Sequence, residues 1–332
     1  MLYERLENDK TDFPFAGESV FIFGRNGRMK HRTHMIRQRG GSIVGRIEVG
    51  DLVVRKSHGG DIVFKVTGTG DGGTYVLKGL HLRLLADAPL SDLELVDAKV
   101  LRDEVLREEA VLSDATRRIF ERRSRQREGV SLFRTSSAKK YTSFDMPGRI
   151  LHLDGDAEYL RMCMKTYRQL RIEAVGRSVD EECQPTLVEG LLREYRPDIL
   201  VLTGHDAILS GCKKKLADLA SYRNSSYFIE AVKRARLVEP SRDELVIFAG
   251  AGQSHFEGIL AAGANYASSP SRIFIHAYDP VFIAEKVAFT SIGRTVDISD
   301  AIGASVTGVE GVGGIETRGK LRIGMPKLTY HS

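Results

Sequence analysis

The chain has 332 residues, 42% hydrophobic and 28% charged, with a formal net charge of +5, three cysteines and no tryptophan. That apolar fraction builds a sizeable core and excludes disorder of the whole chain, and the length allows two domains. No run of 18 apolar residues is present to span a bilayer, and Cys163, Cys183 and Cys212 lack paired spacing, which excludes a disulfide framework and a cysteine-rich zinc site and fits a reducing, cytoplasmic compartment.

Residues 1–46 read as a basic N-terminal extension. Residues 1–20 carry five acids against Arg5 and Lys10, so they are not the n-region of a signal peptide, whereas residues 21–46 carry seven Arg/Lys and no acid. Residues 47–97 read as a small β-barrel resembling an SH3 fold. Strand-like runs at 51–56, 61–67, 74–78 and 81–85 are separated by glycine-rich turns. Residues 98–147 read as a helical, Arg-rich linker. The helical spacing of Val100, Leu101, Val105, Leu106, Val111, Leu112 and Ile119 runs from Asp97 to about Glu128, becomes Arg-rich over 117–127 and gives way at 131–143 to Ser, Thr, Lys and Arg. Within it, residues 117–140 hold nine Arg/Lys against Glu121 and Glu128. Neither basic stretch has the aromatic interleaving or motif of a nucleic-acid binder, so both read as solvated, and nucleic acid is not the expected partner.

Residues 148–326 read as an α/β domain, with 327–332 as a tail. Strands at 149–153, 172–175, 198–203 and 244–249 alternate with helices at 157–170, 184–195, 213–222, 225–237 and 253–262. Continuous apolar strands between helices mean a parallel sheet covered on both faces, a three-layer arrangement. Ligands of such sheets sit outside the carboxyl ends of the strands. The residues just after Leu153, Thr203 and Ala249 are therefore the ones that matter.

The third strand ends Thr203-Gly-His205-Asp206 and the next Ala249-Gly-Ala-Gly252-Gln-Ser-His255. A histidine at one strand tip, 47 residues before a glycine turn at the next, has the spacing of the caspase signature Q-A-C-[RQG]-G, with Gly252 where the thiol would stand. Asp154 and Asp156 close the first strand. They could hold a substrate arginine by charge-assisted hydrogen bonds or cap the helix that follows; Asp206 and Asp279 compete for the substrate role.

The segments 149–156, 195–206, 245–251, 253–256, 263–265, 267–272 and 313–319 resemble the YabG family of sporulation-specific proteases that process spore-coat proteins. The resemblance covers about residues 47–326 and implies a caspase-like topology and a cysteine-protease mechanism with cleavage after basic residues. It also implies coat-associated action on the mother-cell side of the spore. The family pattern Ala-Cys-Gln-Ser-His reads here Ala251-Gly252-Gln253-Ser254-His255. Glycine supplies no nucleophile, so the chain as written is expected to be inactive by that route. In this frame His205 is the general base, the substrate-binding candidates are Asp154, Asp156 and Asp206, and backbone N–H groups at 204–205 and 250–253 form the oxyanion hole. His255 is read as packing or orienting that site, and the glycine-rich segment 311–324 lies near the cleft. The spore-coat proteins are the partners, and self-processing within 117–140 follows from the arginines there. No cofactor and no metal are implied.

Three rival readings stay open. Gly252-Gln-Ser254 resembles the start of a G-x-S-x-G elbow but has Phe256 in the last position. Asp154-Gly-Asp156 resembles an aspartate-nucleophile phosphatase motif without the further carboxylates that Mg²⁺ needs. A non-catalytic coat-assembly or substrate-binding protein fits the missing thiol.

Overall fold

The computed structural model describes residues 47–132, 143–209, 212 and 215–325; the expected basic extension 1–46 and the tail 327–332 lie outside them. Five short strands come first: β1 (Leu52–Arg55), β2 (Phe64–Thr69), β3 (Thr74–Gly79), β4 (Leu85–Pro89) and β5 (Leu93–Leu95). They form one antiparallel sheet in the order β4-β3-β2-β1-β5, so the last strand returns to the first. Val53, Phe64, Val66, Leu77, Leu84, Ala88 and Leu93 fill its small core. The expected strand over 81–85 is absent. Residues 80–84 instead leave the sheet and run toward the second domain, and the fourth strand begins at Leu85.

Helix α1 (Ala98–Leu132) follows, its first turn capped by Asp97, which accepts the N–H groups of Lys99 and Val100. It ends at Leu132, just past the expected end near Glu128. Ile119 packs into the core of the second domain, and Arg122 and Arg123 both pair with Glu285, whose side chain is fully buried. Arg123 also donates to the Leu170 carbonyl at 2.8 Å and lies 3.2 Å from the centre of the Phe289 ring. The docked half of the helix is thus held by cations over an apolar face.

The second domain contains β6 (Phe144–Met146), β7 (Ile150–Asp154), α2 (Ala157–Gln169), β8 (Ala174–Ser178), α3 (Gln184–Tyr195), β9 (Ile199–Thr203), α4 (Ser225–Val238) and β10 (Val246–Ala249). Then come α5 (Phe256–Ala262), β11 (Tyr266–Ser268), α6 (Asp279–Ala288), β12 (Thr295–Val296), α7 (Ile298–Gly303), β13 (Val312–Gly314), β14 (Thr317–Arg318) and β15 (Arg322–Gly324). The main sheet runs β13-β11-β10-β9-β7-β8, parallel except for the antiparallel edge strand β13. Alternate strand residues serve two cores. Ile150, Ile199, Val201 and Phe248 pack with α2 and α6, while Leu151, Leu153, Leu200, Leu202 and Ile247 pack with α3, α4 and α5. This is the three-layer parallel sheet that the apolar runs predict. The glycine-rich C-terminal segment supplies β13 and two small pairs, β12 with β14 and β15 with β6.

Further elements differ from expectation. Over 213–222 the described residues form only a short 3-10 turn, Leu219–Ser221. Helix α6 was not foreseen because all ten of its residues are buried, so it shows no amphipathic period. Among the described residues no helix is long and apolar enough to cross a membrane.

Removing Glu285 would strand two arginine charges against an apolar face. Glu285→Ala is expected to lower the unfolding free energy by about 3 kcal/mol or more in urea titrations.

Candidate active site

In sequence order the parallel strands lie 2-1-3-4-5, so the chain reverses direction across the sheet between β7 and β9. Their carboxyl ends flank the crevice where such sheets bind ligands. β7 delivers Asp154, Gly155 and Asp156 there, and β9 delivers Gly204, His205 and Asp206.

His205 is the best-positioned titratable group. Its Nε2 lies 3.0 Å from Oδ2 of Asp156, while Oδ1 of the same carboxylate accepts the N–H groups of Glu158 and Tyr159 and caps α2. Asp156 therefore performs the helix-capping role weighed from the sequence and orients the imidazole as well. The backbone N–H of His205 donates to Glu181 Oε1 at 2.6 Å, and Asn224 Nδ2 donates to its carbonyl at 2.8 Å. Its Nδ1 is buried and has no hydrogen-bond partner among the described residues. An imidazole gripped by a carboxylate at one nitrogen and idle at the other is arranged to take up a proton. Burial opposes the Asp156 charge, but the His205 hydrogen bond and the Lys78 ammonium outweigh it and hold the carboxyl below the ordinary range. Lys78 reaches from β3, 3.0 Å from Asp156 and 2.5 Å from Glu158.

Asp154 faces a different partner. Its carboxylate takes both arms of the Arg83 guanidinium, at 3.1 and 2.8 Å, and both side chains are completely buried. Burial again opposes the Asp154 charge, and Arg83 overrides it, so the carboxyl sits well below its usual value. Arg83 Nη1 also lies 3.4 Å from the Gly204 carbonyl, and the guanidinium stacks 5.1 Å from the Tyr159 ring. Behind the pair, His152 bridges Thr203 and Tyr167. His152, Asp154 and Cys163 place potential ligand atoms within 4.8 Å of one another. The group does not suit a cation, because Asp154 is committed to Arg83 and burial pushes the Cys163 thiol up to about 12.

The turn after β10 follows the strand next to β9. The two strand tips are joined by Gly250 N–H to the Leu202 carbonyl at 3.0 Å, and Gln253 Oε1 reaches the Ile208 N–H at 3.4 Å. Gln253 holds φ 60°, a left-handed conformation that costs a non-glycine residue about 1–2 kcal/mol, and its N–H bonds to Ile273 O and Ser269 Oγ. A Cβ at Gly252 would lie 2.6 Å from the Arg83 carbonyl oxygen and 2.9 Å from the Phe274 ring. As the backbone stands, position 252 takes no side chain.

The other candidates are fixtures of this turn. Asp206 accepts from Ser225 Oγ, Ser254 Oγ and the Asn224 and Ala207 N–H groups. Ser254 is buried, with its hydroxyl donated to Asp206 and receiving the Ala251 N–H, which leaves nothing of a nucleophile elbow. His255 caps α5, its Nδ1 accepting from Gly258 N–H and its Nε2 donating to the Ala217 carbonyl. Asp279 is spent on His276, Val306 and Thr307. The structure thus brings His205 and Asp156 together at the tips of β9 and β7, with β10 the next strand and Asp154 paired with Arg83, and keeps Asp206 and His255 in the supporting frame.

A family model described as YabG peptidase U57 matches residues 48–326. The chain belongs to that family. Among curated proteins, the sporulation-specific protease YabG of Bacillus subtilis (strain 168) is 43% identical over 286 residues, 85% of this chain and 98% of the relative. No solved structure matches the chain.

Three residues at this YabG-family site escape a reading by motif. Arg83 and Lys78 come from the first domain, and Glu181 from the loop between β8 and α3. Glu181 carries a carboxyl raised by burial, and it fits only because Gly155 and Gly204 lack side chains: a Cβ at either would fall within 2.3 Å of Oε1. Two glycines at the two strand tips were the signal for it.

Because the folded-state pKa of Asp156 is depressed, its stabilising effect is present above the ordinary aspartate value of about 3.9 and fades as pH falls toward the folded value. Asp156→Asn, which keeps a capping side chain, is expected to unfold at lower temperature than the unaltered chain at pH 7. The gap should narrow below about pH 4 in scanning calorimetry.

Proposed function

We propose that this chain is a sporulation-associated endopeptidase of the YabG type that processes spore-coat proteins after Arg or Lys, on the mother-cell side of the developing spore. Its mechanism would be of Cys–His type, with position 252 the place of the nucleophile. The observation that carries this reading is the Asp156-held His205, its Nδ1 idle, one strand away from the β10 turn. With a thiol at 252, Nδ1 would take the thiol proton, the sulfur would attack the substrate carbonyl carbon, and the proton would pass to the departing amine. Water would then release the acyl group by the same base. The His205 N–H is occupied by Glu181, and those of Gly250, Ala251 and Gln253 are occupied as well, which leaves Gly252 N–H as the oxyanion donor of the turn. Since Gly252 has no side chain, the chain as written does not form the acyl intermediate. The strand order 2-1-3-4-5, with base and nucleophile positions on neighbouring tips, supports a caspase-like topology; the order β5-β1-β2-β3-β4 supports an SH3-like barrel.

The non-catalytic reading, a coat-assembly or substrate-binding pseudoprotease, draws on one observation of its own: Arg83 and Phe274 crowd the space a side chain at 252 would need. Self-processing between 117 and 140 is part of the protease reading. Residues 117–132 are helical and would have to unwind to be cut, and Arg134, Lys139 and Lys140 lie outside the described residues.

Gly252→Cys is expected to cleave arginine-containing reporter peptides supplied at millimolar concentration, with the activity abolished by a further His205→Ala. A folded Gly252→Cys chain with no His205-dependent cleavage would favour the pseudoprotease.

A further inference from the structure

The connection between β3 and β4 enters the crevice with three contacts that a peptide awaiting cleavage also needs. First, it adds as a strand: Arg83 N–H donates to the Ile275 carbonyl at 2.9 Å and Ala277 N–H to the His81 carbonyl at 2.8 Å, an antiparallel bridge of Leu82 with His276. Second, the Arg83 side chain fills a closed pocket made by Asp154, the Gly204 carbonyl and the Tyr159 ring. Third, the Arg83 carbonyl oxygen sits 2.6 Å from where a Cβ at 252 would be, so the backbone group after the pocketed side chain faces the nucleophile position. Tyr159 pins the same segment by donating to the Gly79 and Leu82 carbonyls, each at 2.6 Å.

We propose that residues 81–83 are an internal peptide lodged in the substrate cleft, with Asp154 the receptor of its arginine, and that an external extended peptide bearing arginine binds only when this segment withdraws. The proposal rests on the protease reading for the identity of the cleft. Past Arg83 the chain does not stay extended. Leu84 N–H returns to the Leu82 carbonyl at 2.8 Å in a three-residue turn, and Gly79 N–H closes onto the Leu84 carbonyl at 2.8 Å. The segment therefore fills the arginine pocket and the positions before it but bends where a substrate would continue. It occupies the site as an inhibitor does.

The test uses a labelled hexapeptide copying residues 78–83 (Lys-Gly-Leu-His-Leu-Arg) and the same peptide with citrulline for arginine, titrated by fluorescence anisotropy against the full chain, Arg83→Ala and Arg83→Lys. Arg83→Lys keeps a cation on Asp154 and serves if Arg83→Ala does not fold. The unaltered chain is expected to bind neither peptide at micromolar concentration. The variants are expected to bind the arginine peptide at least tenfold more tightly than the citrulline peptide, Arg83→Ala ahead of Arg83→Lys. Folded variants that bind neither peptide, or both equally, overturn the proposal and make Arg83 a structural strut. An unaltered chain that binds as tightly as the variants overturns it too. In the unaltered chain, millimolar arginine peptide should raise deuterium uptake over residues 79–85; no rise overturns the proposal whether or not the variants fold. Arginine-selective binding without His205-dependent cleavage of millimolar arginine peptide by the Gly252→Cys chain would overturn the protease reading and leave the internal occupant standing. Such cleavage with equal peptide binding by all three chains would do the reverse.

Discussion

A guanidinium and a carboxylate, both removed entirely from water, join the two domains at Arg83 and Asp154. Each charge alone would cost several kcal/mol to bury, and only the two-armed pairing offsets that cost. The constraint reaches outward. It draws residues 80–84 out of their sheet, where Tyr159 turns its hydroxyl onto that loop, and behind the pair burial lowers the pKa of His152. Breaking either half would leave a naked charge in the crevice.

With Asp154 engaged, the remaining acids divide the work of the strand tips. Asp156 orients His205 and caps α2, Glu181 holds the His205 backbone, and Asp206 knots the β9 and β10 turns through Ser225 and Ser254. Each occupies a niche cut by a neighbour: Glu181 fits over Gly155 and Gly204, and the Ser254 hydroxyl receives the Ala251 N–H. The resulting imidazole is fixed by its carboxylate, its backbone and the Tyr159 ring 5.5 Å away. Only its Nδ1 is left uncommitted among the described residues.

Much of this was readable from residue order. Buried parallel strands announce themselves as unbroken apolar runs, so β7, β9 and β10 and helices α2, α3 and α4 stand where periodicity puts them, and His205 and Asp156 follow from being at strand tips. What failed did so for identifiable reasons. Helix α6 is apolar on every side and so carries no period. The run 81–85 alternates as an exposed strand would, yet its arginine is completely buried, because its partner lies 71 residues away in sequence. Among Asp154, Asp156, Asp206 and Asp279 nothing local in the sequence distinguishes a cap from a receptor, since that depends on which distant donors arrive.

Helix α1 gives the cleft a mechanical dimension. Its 35 residues extend about 50 Å at 1.5 Å each, and it is pinned to the second domain through Ile119, Arg122 and Arg123 while its first turn follows directly from β5. The five-stranded sheet is therefore leashed: if its loop withdraws from the crevice as proposed, it stays close by. A leashed ligand competes at an effective concentration on the order of millimolar, so a dilute peptide loses to it. On the proposed reading, a substrate displaces it only where arginine side chains reach a local concentration of that order.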